Sequence, residues 1–514
     1  MTRSQTIDAN SFFDSLAIEP STKAFEIDGL LVTRAELIEA SEAAAYALAE
    51  MGFHSGDTLA LWLPDGAAWL QFLFAAARIG VLIVPISTRY RAREAEQLLT
   101  VARAKGIVAT SHFLKDDFTS IARSLAERLP KPLIIIDGDV RKGFFEFNKP
   151  PASYIWPKAA VSAALCTFST SGTTGEPKLA AHTQASLLQH SKAVAKALAM
   201  SAETVTLCPL PLYGVLGFVT ALATLTAGGR CIFQPVFDSA QAAALIDDKK
   251  VTHLFGSDAM LDGIIRTPGR HFSSWRHGGF AEFASLGRSL IEFAEENFGI
   301  SLCGIYGSSE CYALMALRSP SLPAEQRALP GGAPTSSEIK FRIVDVNDGA
   351  QLADGMSGEL QISGPNVMQG YLNNSEATRA VMTDDGWYRT GDLAYAAGDG
   401  FVFQSRLKDN LRLHGYLVDP GEIETFLASH KAVVAAQVVG VRRNGVGDVA
   451  VAFVRFGAEK CVESDLLAFC REGIAAYKIP KRLIPVEDFP QVAGPNGVKI
   501  LKNKLREMAE AYVP

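Results

Sequence analysis

Apolar positions fall at helical spacing through Thr33 to Met51, an Ala- and Glu-rich stretch, and then run almost without interruption through Thr58 to Leu63. That pattern predicts a helix followed by a buried strand. It repeats at once: Ala67 to Ile79 reads as a helix, and Val81 to Ile86 as a strand apolar on both faces, the habit of a parallel sheet. Helix and strand patterns alternate in this way through most of the first 400 residues or so. Repeated alternation predicts doubly wound α/β sheets carrying helices on their faces.

Beyond Gly331 the texture changes. Glu338 to Val344, Gly358 to Ser363 and Phe401 to Gln404 are short apolar runs punctuated by Gly, Asp and Asn, and Asp399-Gly400 is a hairpin-turn pair. A smaller β-rich lobe is expected there. After Arg406-Leu407-Lys408-Asp409 the pattern becomes compact α+β and ends in the basic segment Lys499 to Arg506. The expected fold is thus α/β: a large N-terminal domain of two doubly wound subdomains plus the β-rich lobe, residues 1–407, and a small α+β C-terminal domain, residues 408–514. A chain of 514 residues has room for about three such units.

Composition narrows the partners. The net charge of −6, with no Lys/Arg block, argues against nucleic acid or an acidic membrane, which attract a concentrated basic face. The most apolar stretch, Leu70 to Ile86, is interrupted by Arg78, Gly80 and Pro85 and is short for a bilayer span. Seven scattered cysteines without a C-x-x-C pair suit free thiols in a reducing compartment. Met1 to Asp14 lacks the apolar core of a secretory signal. A cytoplasmic monomer or homodimer is expected.

The segment that most changes the picture is Thr170-Ser171-Gly172-Thr173-Thr174-Gly175-Glu176-Pro177-Lys178, directly after the apolar run Ala163 to Phe168. Small residues let backbone N–H groups approach an anion closely, hydroxyls add donors, and Lys178 adds a point charge suited to phosphate oxygens. The spacing is not that of the common P-loop. A tract of this composition is also what a flexible surface loop looks like, so the exact string matters more than its content.

That string resembles the signature loop of the adenylate-forming superfamily, which contains acyl-CoA synthetases, adenylation domains of nonribosomal peptide synthetases and beetle luciferases. Further segments resemble the family's motifs in the family's order: Tyr306-Gly307-Ser308-Ser309-Glu310, Gly358-Glu359-Leu360 with Gly364-Pro365 and Gly370-Tyr371, Asp385-Gly386-Trp387-Tyr388-Arg389-Thr390-Gly391-Asp392, Arg406-Leu407-Lys408-Asp409, and Gly497-Val498-Lys499-Ile500 before Leu505-Arg506. They span residue 170 to the C-terminus, about two-thirds of the chain.

The resemblance implies an acyl-CoA ligase that activates a carboxylic acid as acyl-AMP with ATP and Mg²⁺ and transfers the acyl group to coenzyme A. It implies that Ser171 to Lys178, with Thr174 and Gly175 among them, wraps the β- and γ-phosphates. Glu310 and the Thr173 hydroxyl would hold Mg²⁺, and Tyr306, beside Gly307, Ser308 and Ser309, would stack on adenine. Asp392 and Arg406 would bind the ribose. Lys499 would be the catalytic lysine at the acyl carboxylate and α-phosphate, Lys408 the hinge of a mobile C-terminal domain, and Gly415 part of the thiol tunnel. Tyr213, Gly214, Phe218, Gly279, Phe280 and Gly304, with Phe283, are expected around the acyl group, and their apolar character favours a hydrophobic or aromatic acid.

This chain departs from the pattern at several places. Leu179-Ala180 follow Lys178, Ser309 precedes Glu310 in place of Thr, Ser405 precedes Arg406 in place of Gly, His414 precedes Gly415, and Val498 precedes Lys499 in place of Gly. Tyr213-Gly214 stands where relatives carry an aromatic followed by His, which leaves space beside the acyl group. None of these changes removes a charge that adenylation needs. Two other readings share the motifs: an adenylation enzyme that loads a carrier-protein phosphopantetheine thiol, and a non-catalytic nucleotide or acyl-adenylate binding protein.

Overall fold

Thr33 starts the first described helix, Arg34–Glu50, through a capping box: its hydroxyl accepts from the Glu36 N–H while the Glu36 carboxylate accepts from the Thr33 N–H. The helix Ala67–Ile79 is buried almost all round and ends on Gly80 in the left-handed conformation. It therefore sits inside the domain, not on its surface. The computed structural model describes residues 21–513 apart from residues 158, 171–176, 283–285, 347, 408–410, 415, 419, 444–446, 458–460 and 495–496. At residues 405, 406, 417, 491–494, 497–499 and 503 it describes the backbone alone.

Two large sheets organise the N-terminal domain. In the seven-stranded one, Thr58–Trp62, Leu82–Pro85, Gly106–Thr110, Ile134–Gly138 and Ala164–Thr170 run parallel, and Lys178–Thr183 returns antiparallel to Ala164–Thr170. The second sheet has thirteen strands. Its parallel half includes Val205–Cys208, His253–Ser257, His277–Ala281 and Ser301–Ser308, and its antiparallel half begins where Tyr312–Leu317 folds back on Ser301–Ser308. The β-rich lobe expected in the N-terminal domain is the continuation of this sheet. The reversal at residues 308–312 switches the pairing from parallel to antiparallel without breaking the hydrogen-bond ladder.

The lobe's strands are Lys340–Val344, Ser357–Ser363, Tyr388–Ala397 and Gly400–Arg406. Ala397 pairs with Gly400, so the hairpin turns on Gly398-Asp399, one residue before the pair expected from sequence; Gly398 supplies the positive φ of +63°.

The C-terminal domain is a five-stranded sheet of Leu411–Leu413, Tyr416–Val418, Val433–Arg443, Gly447–Phe456 and Arg482–Pro485, with helices Pro420–Ala428, Glu463–Gly473 and Lys502–Glu510. A two-stranded ribbon, Gln491–Gly494 with Gly497–Ile500, adjoins it. All seven cysteines are free thiols. Among the described residues no helix is long and apolar enough to cross a membrane.

Candidate active site

The antiparallel pair Ala164–Thr170 and Lys178–Thr183 brings Thr170 opposite Lys178 and so defines the mouth of the signature loop. The loop residues Ser171, Gly172, Thr173, Thr174 and Gly175 themselves lie outside the described residues, as do Phe283, Lys408 and Gly415. Lys178 closes the loop, and its Nζ lies 5.2 Å from the centre of the Tyr371 ring. The Tyr371 hydroxyl donates to Glu310 Oε1 at 2.9 Å. Lys178, Tyr371 and Glu310 therefore form one chain of contacts from the seven-stranded sheet to the reversal of the thirteen-stranded one.

That reversal is tightly built. Ser308 Oγ accepts from the Glu310 N–H at 3.2 Å. A Cβ on Gly307 would meet the Tyr312 carbonyl at 2.2 Å, so only glycine lets the two strands approach this closely. Tyr312 and Leu314 hold positive φ, +62° and +57°, a conformation that costs bulky residues free energy and needs support from their surroundings. The support lies beneath. Tyr312 is sandwiched between two imidazoles, with its ring 4.0 Å from His182 and 4.9 Å from His190. His182 Nε2 donates to the Ser309 carbonyl at 2.7 Å, and His190 Nε2 to the Ala313 carbonyl at 2.8 Å. Burial pushes both imidazoles down to about 4, so both are neutral at physiological pH.

Tyr306 closes the other side. Its hydroxyl donates to Asp392 Oδ2 at 2.5 Å, and its ring packs edge-on against Phe401 at 5.0 Å and tilted against Phe403 at 6.0 Å. The ring expected at adenine and the carboxylate expected at ribose are thus one hydrogen-bonded unit. Asp392 pairs in register with Arg406 across Tyr388–Ala397 and Gly400–Arg406; the Arg406 side chain lies outside the described atoms. Burial pushes the Cys311 thiol up to about 12, and the Glu310 and Asp392 carboxylates both add to the shift. The two carboxylates therefore share one neighbourhood. Tyr306→Phe should raise the KM for ATP by about tenfold with little change in kcat, because a hydrogen bond to a charged group contributes roughly 1.5–3 kcal/mol. Steady-state pyrophosphate release at varied ATP checks this.

The residues expected around the acyl group separate into two sets. Tyr213 and Gly214 sit half-buried in the turn before the helix Val215–Thr226. The turn is held by the Asp65 carboxylate, which accepts from the Leu212 N–H at 2.7 Å. Phe218 and Phe280, in contrast, have no exposed surface. Phe218 packs against Trp69 and Phe168, and Phe280 belongs to the core that contains Leu261, Leu290 and Leu302. Both side chains are fully buried. Gly279 and Gly304 lie on strands where a Cβ would meet Ile305 Cγ2 at 2.6 Å and the Leu329 carbonyl at 2.5 Å. Their small size serves close packing. An apolar aromatic run in sequence does not distinguish a pocket wall from a core.

Lys499 lies on Gly497–Ile500, opposite Val492, and its side chain lies outside the described atoms. The C-terminal domain meets the N-terminal one elsewhere. Tyr416 interacts with Tyr213, and burial together with the Tyr213 hydroxyl pushes its own hydroxyl well above the usual tyrosine range. Arg89 lies 5.2 Å from the Tyr416 ring centre, and Arg93 lies 4.7 Å from that of Phe426. Sequence reasoning noted Gly370-Tyr371 only as a motif and gave no role to Asp65, His182, His190 or Tyr416. The motif match was the available signal for Tyr371; for the others no local signal exists.

Comparison with known proteins agrees with this geometry. The AMP-binding enzyme family profile matches residues 12–372, and the AMP-binding enzyme C-terminal domain profile matches residues 422–494. The mitochondrial medium-chain acyl-CoA ligase ACSF2 of Rattus norvegicus is 30% identical over 96% of this chain and 86% of its own. Among solved structures, o-succinylbenzoate CoA synthetase (MenE) of Bacillus subtilis, a double mutant bound with its product analogue OSB-NCoA, superposes with a TM-score of 0.83. It is 25% identical and covers 96% of this chain and 98% of its own. ATP-bound MatB of Rhodopseudomonas palustris shares the fold with a TM-score of 0.70, at 24% identity and coverage of 99% and 100%. The chain belongs to the AMP-binding enzyme family, in its adenylate-forming acyl-CoA synthetase branch.

Proposed function

We propose that this enzyme activates a hydrophobic carboxylic acid, aliphatic or aromatic, and that Lys178, Glu310, Tyr306, Asp392 and Lys499 carry the chemistry. One carboxylate oxygen attacks the α-phosphorus of ATP, the bond to the bridging oxygen breaks, and pyrophosphate leaves with the electron pair. The coenzyme A sulfur then attacks the acyl carbon, AMP leaves as phosphate, and the thiol proton passes to solvent. The first step brings anions together, so the site must offset negative charge and hold the groups in line. Lys178, with the loop it closes, meets the β- and γ-phosphates. Asp392 accepts from the ribose hydroxyls, and Tyr306 both orients that carboxylate and offers its ring to adenine.

Glu310 presents a largely buried hard-oxygen donor. That suits Mg²⁺, which takes one or two protein carboxylates and fills its other positions from phosphate and water. Glu310 and the Thr173 hydroxyl would hold the ion, which when bound offsets phosphate charge.

The observation that carries the reading is the contact chain Lys178–Tyr371–Glu310 beside the Tyr306–Asp392 hydrogen bond, residues scattered over more than 200 positions and gathered at one sheet junction. The activity of the ACSF2 relative, a medium-chain acyl-CoA ligase, supports a hydrophobic acid. The test is acid-dependent pyrophosphate release across aliphatic, aromatic and amino acids, with coenzyme A, a phosphopantetheinylated carrier protein or neither. Release with medium-chain or aromatic acids and thioester on coenzyme A is expected. No release with any of the acids would leave a binding protein, and thioester on the carrier alone would reassign the thiol.

A further inference from the structure

A buried ionic cluster joins the two domains. Lys478, only about 5% exposed, donates to Glu422 Oε1 at 2.6 Å within its own C-terminal domain, and to Glu94 Oε1 at 3.1 Å in the N-terminal domain. The same Glu94 oxygen accepts from the Ala475 N–H at 3.2 Å, while Oε2 accepts from the Arg91 N–H in the capping box of the helix Ala92–Ala102. The ammonium lies 4.9 Å from the Tyr90 ring centre and 5.6 Å from that of Tyr477. Tyr477 stacks on Tyr416 at 4.2 Å, and Tyr416 meets Tyr213. On the other side Tyr90 bonds to Ser169, in the strand that leads into the signature loop.

Burying charge costs several kcal/mol per ion, so such a cluster is poor general adhesive. Its value is registry: Glu94 and Lys478 satisfy one another in only one placement of the domains. That placement puts the Leu411–Val418 hairpin against the Tyr213 turn.

We propose that Lys478 is a positioning residue for acyl transfer to the thiol: by bridging Glu422 to Glu94 it seats the C-terminal domain with the Leu411–Val418 hairpin over the Tyr213 turn. This rests on the acyl-CoA ligase reading above. The ion bridge acts on the second half-reaction and leaves the groups that meet ATP in place.

The test uses the full chain and compares pyrophosphate release without coenzyme A with single-turnover thioester formation from supplied acyl-AMP. Lys478→Met and Glu94→Gln should each slow thioester formation at least about tenfold more than adenylation, as expected when one partner of a buried pair is removed. Because the two residues act through each other, E94Q/K478M should be no slower than the worse single variant. Equal loss in both half-reactions, or additive losses in the double variant, would overturn the proposal. Should K478M not fold, E94Q and Glu422→Gln carry the same comparison. Trypsin cleavage between residues 406 and 412 gives a readout independent of any substrate. It should accelerate severalfold in E94Q if seating is lost, and an unchanged rate would sink the idea. A wild-type enzyme that releases no pyrophosphate with any acid would instead defeat the activity reading, and the proteolysis result would still decide the seating.

Discussion

Lys499→Ala should slow acid-dependent pyrophosphate release by about 10²–10³-fold, the loss of roughly 3–4 kcal/mol that follows removal of one electrostatic contact to a developing charge. The reason is the charge balance of the first step. A carboxylate must approach a phosphorus already surrounded by anionic oxygens, and Lys178 is committed to the loop mouth, 5.2 Å from Tyr371. A second cation is needed at the bond that forms. Lys499 stands on a short ribbon strand of the C-terminal domain, in the frame Gly497-Val498-Lys499-Ile500 that the family resemblance singles out. The second step forms no bond between two anions, since a thiol sulfur attacks the acyl carbon of a mixed anhydride. Thioester formation from supplied acyl-AMP should therefore keep most of its rate. Equal loss in both half-reactions would show that Lys499 supports the fold or the domain seating. The prediction is the mirror image of that for Lys478, and measuring both variants in one assay separates the two roles.

The contrast between these lysines shows what a sequence discloses. Lys499 lies within a local motif, and so do Lys178, Glu310 and Asp392, of which the last three lie at one sheet junction. The α/β alternation was equally legible, because a helix such as Arg34–Glu50 announces itself through its cap and spacing. Lys478 was invisible. Its partner Glu94 is 384 positions away, and nothing near either residue marks it as anything but a surface charge. The continuity of the thirteen-stranded sheet was hidden for a similar reason: it depends on how Tyr312–Leu317 pairs back on its neighbour, a matter of tertiary register. The full burial of Phe218 and Phe280 was hidden by the same limit, since composition gives the polarity of a side chain and not what packs in front of it. Asp65 and the His182–Tyr312–His190 stack likewise exist only through long-range contacts.

Those last groups set the acid response of the folded chain. Stability should fall as pH drops from about 6.5 towards 4, and the fall should be shallower in His182→Gln. His182, His190 and His253 are all buried, and burial holds each near a pKa of about 4 against an ordinary 6.5. The unfolded chain therefore binds protons first on acidification. Each imidazole's contribution is complete above pH 6.5 and is lost on the way down to 4, about 3 kcal/mol apiece at 1.36 kcal/mol per unit. Asp65 works in the opposite sense. Burial raises its carboxyl to about 7, partly countered by the Leu212 N–H, so the folded chain holds this proton more tightly than the unfolded one. It is best tolerated at low pH and costs up to about 4 kcal/mol as pH rises from 3.8 through 7. Asp65→Asn keeps an acceptor for the Leu212 N–H without the charge. It should stabilise the protein at pH 8 by up to that amount and by progressively less towards pH 4, steepening the acid limb that the histidines produce. Denaturation midpoints for the wild type, D65N and H182Q between pH 4 and 8 decide both points. Curves that run parallel for all three would show that neither the carboxyl nor the imidazole stack titrates as its burial dictates.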